Sequence, residues 1–257
     1  MRLPGVVRLL VRNFESNLDL ITLIVMFGQP AFLIVVLGTM FSQIVSGVGG
    51  TGSYTQFLVP GMVASQMITG AVLAGRIFWL DRRWSMVEQL FSGPFRRAEY
   101  LAALLLTTLT FALVGVGLMV LVALPLIGLP PLSPLELLSI LGTIGIGSVF
   151  FGGLLIAIGA RIRSANLYFT IQSLLQYFLV FISTVYYPVT SGTPISLRAI
   201  VYANPLTYAA NTVRDAFLGR GFGPGDAEAA VILGGLALVT FTLAVLSFRK
   251  LEFGPIQ

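Results

Sequence analysis

Six apolar segments of roughly 20 residues or more run through this chain, at about 18–41, 57–80, 100–126, 135–160, 167–187 and 229–248. A helix of that length matches the hydrocarbon thickness of a bilayer. The bilayer centre holds no water, so each segment must satisfy its own backbone hydrogen bonds, and a helix does so. Composition points the same way: 10% of residues are charged, against about 25% in a soluble domain, and mean hydropathy is +0.95. The expected fold is therefore an all-α integral membrane protein, one domain over 1–257, with six transmembrane helices. Pro30 and Pro60-Gly61 fall inside spans and are expected to kink or loosen them.

Positive charge orients the chain. One side collects Arg2, Arg8, Arg12, Arg76, Arg82, Arg83, Arg96, Arg97, Arg161, Arg163, Arg249 and Lys250. The other collects only Arg198, Arg214 and Arg220, so both termini are expected in the cytoplasm. The first apolar stretch is too long for a signal-peptide core, and no small-residue cleavage site follows it. A pI near 9.9 would suggest nucleic acid in a soluble protein. Here the basic residues flank spans, so they read as membrane anchors and imply no nucleic-acid partner.

Several function classes are excluded. The chain has no Cys and no His, which removes thiol chemistry, disulfides, His metal sites and His proton relays. No Asp, Glu, Lys or Arg lies near the middle of a predicted span, so ion coupling has no obvious carrier group. Ser65, Gln66, Thr69, Ser148, Gln172, Ser173, Gln176 and Ser183 are the polar groups at depth, and all are neutral. No Gly-x-x-x-x-Gly-Lys-Ser/Thr motif occurs, so energy for active transport has to come from another subunit. Paired mid-membrane carboxylates and nucleophile–base arrangements are also missing, which argues against a membrane-embedded enzyme.

Against this background the segment Asp81 to Glu99 stands out, with seven of the 25 charged side chains in 19 residues. Ser85-Met-Val-Glu88 fits a capping box and Gly93-Pro94 a helix stop, which predicts a short helix over 85–91. A longer helix from Asp81 would align Leu80, Trp84, Val87 and Phe91 on one face. Two readings fit these residues: a rigid helix gripped by a soluble partner, or a solvated interhelical loop with an interfacial Trp84. Residues 2–17 read either as an interfacial amphipathic helix, with Val7, Leu10, Val11 and Phe14 on one face, or as a basic flank of the first span. Residues 188–228 are too long for a simple connection. Helical character over 195–202 and 206–218, with Asn204-Pro205 between, predicts an outer pair that dips into the membrane and returns.

Three regions together resemble the membrane subunit of type-2 ABC transporters, the permeases of drug, nodulation-factor and polysaccharide exporters. They are Arg12-Asn-Phe with Gln29-Pro30; Arg82-Arg-Trp-Ser-Met-Val-Glu-Gln-Leu-Phe-Ser-Gly-Pro-Phe-Arg-Arg-Ala-Glu99; and Asn204-Pro-Leu-Thr-Tyr-Ala-Ala-Asn-Thr-Val-Arg214. Phe57-Leu-Val-Pro-Gly61 also matches the start of that family's second span. Trp84 departs from the pattern, which usually has Gly just before the short cytoplasmic helix.

The resemblance implies a coupling helix, with Arg82, Arg83, Trp84, Ser85, Met86, Val87, Glu88 and Gln89 at a cleft of a cytoplasmic ABC ATPase. It implies two ATPases and two permease chains, as homodimer or heterodimer, in a prokaryotic cell membrane. ATP and magnesium would bind the partner ATPase, with no cofactor or metal in this chain. Spans two and five would face the second copy across a substrate path, which points to Met62, Gln66, Met67, Gln176, Tyr177, Phe181 and Tyr186. Asn204, Pro205, Tyr208 and Arg214 would form an outer gate, Arg214 pairing with Asp215 or capping a carbonyl. The function implied is export of a drug, lipid or lipid-linked glycan, membrane lipids being the surroundings. An ATP-independent facilitator or scramblase is the alternative.

Overall fold

A computed structural model describes residues 4–249, without Leu18, Ser46, Leu129 and Pro131 and without the side chains of Val25 and Arg249. The start and end of the chain, including Arg2 and Lys250, lie outside the described residues. The helices are α1 (Gly5–Glu15), α2 (Leu20–Ile44), α3 (Tyr54–Arg83), α4 (Met86–Ser92), α5 (Arg97–Ile127), α6 (Pro134–Arg161), α7 (Ala165–Phe181), α8 (Ile195–Ala203), α9 (Pro205–Phe217) and α10 (Pro224–Arg249). Among the described residues there is no β-strand.

Five of these helices, α2, α3, α5, α6 and α10, are long and apolar enough to cross a membrane. Polar residues cap several of their starts, and all but α2 begin earlier than the apolar runs. The Asp19 carboxylate accepts from Thr22 N–H, and the Ser53 hydroxyl accepts from Gln56 N–H. Ser133 and Glu136 form a full capping box around Pro134: Ser133 N–H donates to the Glu136 carboxylate at 2.6 Å, and Glu136 N–H to the Ser133 hydroxyl at 3.3 Å.

The fifth apolar segment behaves differently. Its helix, α7, has 17 residues and stops at Phe181, short of the expected end near 187. The cause is Asn204, whose amide donates to the freed carbonyls of Leu179 and Ile182 at 2.7 and 3.1 Å, while Ser183 caps Val180 O and Val185 N–H. Apolar character continues through 182–187, but its backbone groups find partners outside a helix.

Helix α3 is the axis of the bundle and packs on α2, α5, α6 and α9. Three glycines make this possible. A Cβ on Gly70 would meet the backbone of Thr108 and Ala112 on α5, one on Gly61 the backbone of Val185, and one on Gly75 the Tyr168 hydroxyl. In lipid, where apolar contact alone gives little drive, close backbone approach at small residues is a main source of helix association. Helix α2 flanks the bundle with Leu20, Ile21, Ile24, Phe32 and Met40 exposed.

Helix α1 lies along α5 on a ridge of Gly5, Leu9 and Asn13. Gly5 abuts the Glu99 carboxylate, and the Asn13 amide donates to the Thr107 hydroxyl at 3.0 Å. Of the expected apolar face, Val7 and Val11 are exposed, and Phe14 packs on Phe111 at 5.1 Å. The ridge has a polar residue at its third position, so hydrophobic periodicity passes over it.

Candidate functional site

The predicted short helix forms as α4, but its start differs from the capping box expected at Ser85–Glu88. Ser85 sits at φ 54, ψ 19, and its side chain makes no cap hydrogen bond. It is the only non-glycine residue with positive φ among the described residues. Ser85 closes α3 as a left-handed C-terminal residue, its N–H donating to Arg82 O at 3.2 Å while Trp84 N–H donates to Leu80 O at 3.0 Å. That backbone turns the hydroxyl away from the first turn of α4. The longer helix from Asp81 is likewise broken at 84–85, and Trp84 leaves the expected face to stand 70% exposed.

The last turn of α3 is pinned on three sides. The Asp81 carboxylate accepts from Arg12 on α1, at 2.5 Å, and from the Tyr100 hydroxyl on α5, at 2.7 Å. Arg82 turns inward and donates to the carbonyls of Gly159 and Ile162 at 2.9 and 3.1 Å, capping the C-terminus of α6. Arg83 lies over the rings of Trp79 and Trp84. Helix α4 buries Val87 completely and packs Leu90 and Phe91 on the core. Its outer surface carries Met86 and Gln89, beside Arg83 and Trp84, with Glu88 half-buried at its edge. The candidate coupling residues therefore divide: Arg82 and Val87 hold the helix in place, and Arg83, Trp84, Met86 and Gln89 are presented outward.

The candidate path residues also divide. Met62, Gln176, Tyr177, Phe181 and Tyr186 line one groove between α2, α3 and α7, together with Gln29, Pro30, Ser65 and Thr69. Gln66 and Met67 face the other way: Gln66 is fully buried beside Gly115 of α5, and Met67 beside Gly147 of α6. The groove-facing stripe on α3 is Met62, Ser65, Thr69, a helical spacing of three and four that was present in the sequence. The groove opens, at the end away from α4, into a larger cavity of about 610 Å³ bounded by Leu33, Leu37, Phe41, Tyr54, Tyr186 and Tyr187. Phe181 and Tyr186 stack at 5.0 Å where the two parts meet.

At that same end, Asn204 is the N-cap of α9, accepting from Leu206 N–H at 3.0 Å, and Pro205 fills the first helical position. Tyr208 is half-buried against the core. Arg214 takes the carbonyl-capping role: it donates to Phe57 O at 3.2 Å, Thr184 O at 2.7 Å and Asn211 Oδ1 at 2.8 Å, with its guanidinium 3.9 Å above the Phe57 ring. Asp215 pairs with Arg220 instead, at 2.8 Å. Burial pulls the Arg214 guanidinium down to about 10, with the Asp215 charge opposing, so it remains a cation at neutral pH.

Among the described residues no group of three or more acidic residues is placed to hold a metal ion. The arrangement offers a short helix with one exposed side at one end and an apolar groove joined to a cation-bearing mouth at the other. Comparison with curated proteins returns no match. A family model described as ABC-2 type transporter matches residues 7–218, from α1 through α9, and the chain belongs to that family of ABC transporter membrane subunits.

Proposed function

We propose that this chain is the permease of an ATP-driven exporter that moves a hydrophobic or amphipathic substrate (a drug, a lipid or a lipid-linked glycan) out of the cytoplasm. A separate ATPase, in two copies and carrying ATP and magnesium, supplies the energy, and a second permease chain completes the path. The observation that carries this reading is the form of α4. It is a short helix with its apolar side locked into the bundle and Met86, Gln89, Trp84 and Arg83 displayed outward, joined to the axis helix α3 by the tight turn Trp84-Ser85. A push on α4 reaches α3 through the tight turn Trp84-Ser85, and Asp81 and Arg82 carry it to α1, α5 and α6. Rigid-body motion of this kind suits alternating exposure of a groove.

Six spans fit this reading, with α7 as the sixth. Its N-terminal Tyr168 stacks on Trp79 beside the α3–α4 junction, and its C-terminal carbonyls are held by Asn204 at the opposite end. Seventeen helical residues reach roughly 25 Å, within the span range. Both termini are then cytoplasmic in a prokaryotic cell membrane, α1 is an interface helix, and α8 and α9 form a re-entrant outer pair.

The test is Met86→Asp, on the exposed side of α4. The variant inserts and elutes normally, but reconstituted with its ATPase it loses substrate-stimulated hydrolysis and transport. Undiminished coupled hydrolysis would refute the docking role. Val87→Asp cannot discriminate, because Val87 is buried and its loss damages the fold. Transport by the purified chain alone, without ATPase or nucleotide, would establish the facilitator alternative.

A further inference from the structure

A polar pocket of about 220 Å³ opens at the end of the bundle opposite α4, between α9, the turn at 47–50 and the segment after α7. Its lining includes Arg214, Arg220, Asn211, Tyr202 and one carboxylate, Asp215, already bound to Arg220. Arg214 is 5% exposed and has no carboxylate at ion-pair distance among the described residues; its three acceptors are all neutral. A guanidinium has more N–H groups than those three bonds use. The Asn211 side-chain oxygen accepts from both Arg214 and Thr184, which assigns its amide N–H₂ to the other side, where no acceptor stands among the described residues. The Tyr202 hydroxyl has no partner among the described residues either. With Asp215 offset by Arg220, the pocket thus carries the net positive charge of Arg214 and spare donors of Arg214 and Asn211. A buried cation satisfied only by neutral dipoles gains from an anion that brings full charge and strong acceptors.

Gly49 and Pro188 belong both to this pocket and to the 610 Å³ cavity lined by Tyr54, Tyr186 and Tyr187. A donor-rich pocket next to an aromatic cavity is complementary to one kind of molecule. We propose that the pocket binds the acidic headgroup, phosphate or carboxylate, of an amphipath whose apolar part lies in the adjoining aromatic cavity. The molecule arrives either as a lipid of the surrounding leaflet or as substrate reaching the mouth of the path.

The test uses the purified full chain in phosphatidylcholine nanodiscs, without ATPase or nucleotide, so its result is independent of the transport reading. Native mass spectrometry measures retention of phosphatidic acid against phosphatidylcholine of the same acyl chains. A parallel thermal-shift series compares inorganic phosphate with chloride at equal ionic strength. Wild type retains phosphatidic acid preferentially. Arg220→Gln lowers that preference about tenfold, the equivalent of one charge-assisted hydrogen bond. Asn211→Asp does the same while keeping the acceptor for Arg214 and Thr184, so it tests the pocket without removing their bonds. A shift with phosphate alone assigns the pocket to free oxyanions; retention of phosphatidic acid without a phosphate shift assigns it to headgroups carried on an apolar body. Equal retention of both lipids with no phosphate shift, or an unchanged preference in Asn211→Asp, overturns the proposal.

Discussion

Helices α3 and α7 line the same groove and are both strongly apolar, yet they are held in opposite ways. In α3 nearly every residue from Tyr54 to Trp79 is buried, whereas in α7 only Tyr168 and Gln172 are. Leu167, Leu174, Tyr177, Phe178 and Phe181 of α7 remain exposed. The difference does not come from hydrophobicity. It comes from Gly61, Gly70 and Gly75, which let neighbouring backbones and a tyrosine close on α3, while α7 meets the bundle through a few specific contacts: Trp79 stacked on Tyr168, the Gln172 amide on Val72 O, and Asn204 at its end. A helix fixed all round suits a lever, and a helix fixed at a few points leaves a face for lipid or a second copy.

The sharpest way to break this contrast is Gly70→Leu, which drives a side chain into the α5 backbone at Thr108. Because a backbone carbonyl cannot swing aside, about 3 kcal/mol of destabilisation is expected, read as a large drop in the thermal unfolding midpoint in detergent. On the α7 side, Gln172→Leu removes the hydrogen bond to Val72 O and should cost about 1 kcal/mol. A loss as large as that of Gly70→Leu would mean that α7 is held as firmly as α3. Ser85→Gly tests where α3 ends: it relieves a left-handed serine and should stabilise by about 1 kcal/mol. A destabilised Ser85→Gly would show that the hydroxyl holds the junction after all. Phe178→Ala, at a position 59% exposed, should leave unfolding of the single chain within about 0.5 kcal/mol of wild type. If α7 carries the face toward the second permease, the same variant weakens the dimer, measured as a shift to monomer on dilution.

The pattern Ser-x-x-Glu shows how far local sequence reaches. It occurs at 85–88 and at 133–136, and only the second forms a capping box. Ser133 does not directly follow a helix and is itself extended, at φ −76, ψ 162, so it takes the cap geometry. Ser85 follows directly on α3, whose C-terminus needs a left-handed residue, and that demand wins. The division of the groove residues has the same origin. Met62, Gln66 and Met67 read alike along the chain, but Gly115 and Gly147 on other helices make room for Gln66 and Met67 away from the groove.

What the sequence determined by itself follows from solvent physics acting residue by residue. The long apolar runs required helices, and the charged island isolated the short helix α4, whereas the end of α7 was not marked by its apolar run. The tertiary structure alone decided which apolar helix became the axis, that Arg82 turned inward to α6 while Arg83 stayed outside, and that Arg214 reached Phe57 and Thr184 rather than Asp215. These outcomes depend on which backbone carbonyls and which glycines arrive beside a given side chain. That proximity joins residues far apart in the chain, and no local pattern of hydrophobicity encodes it.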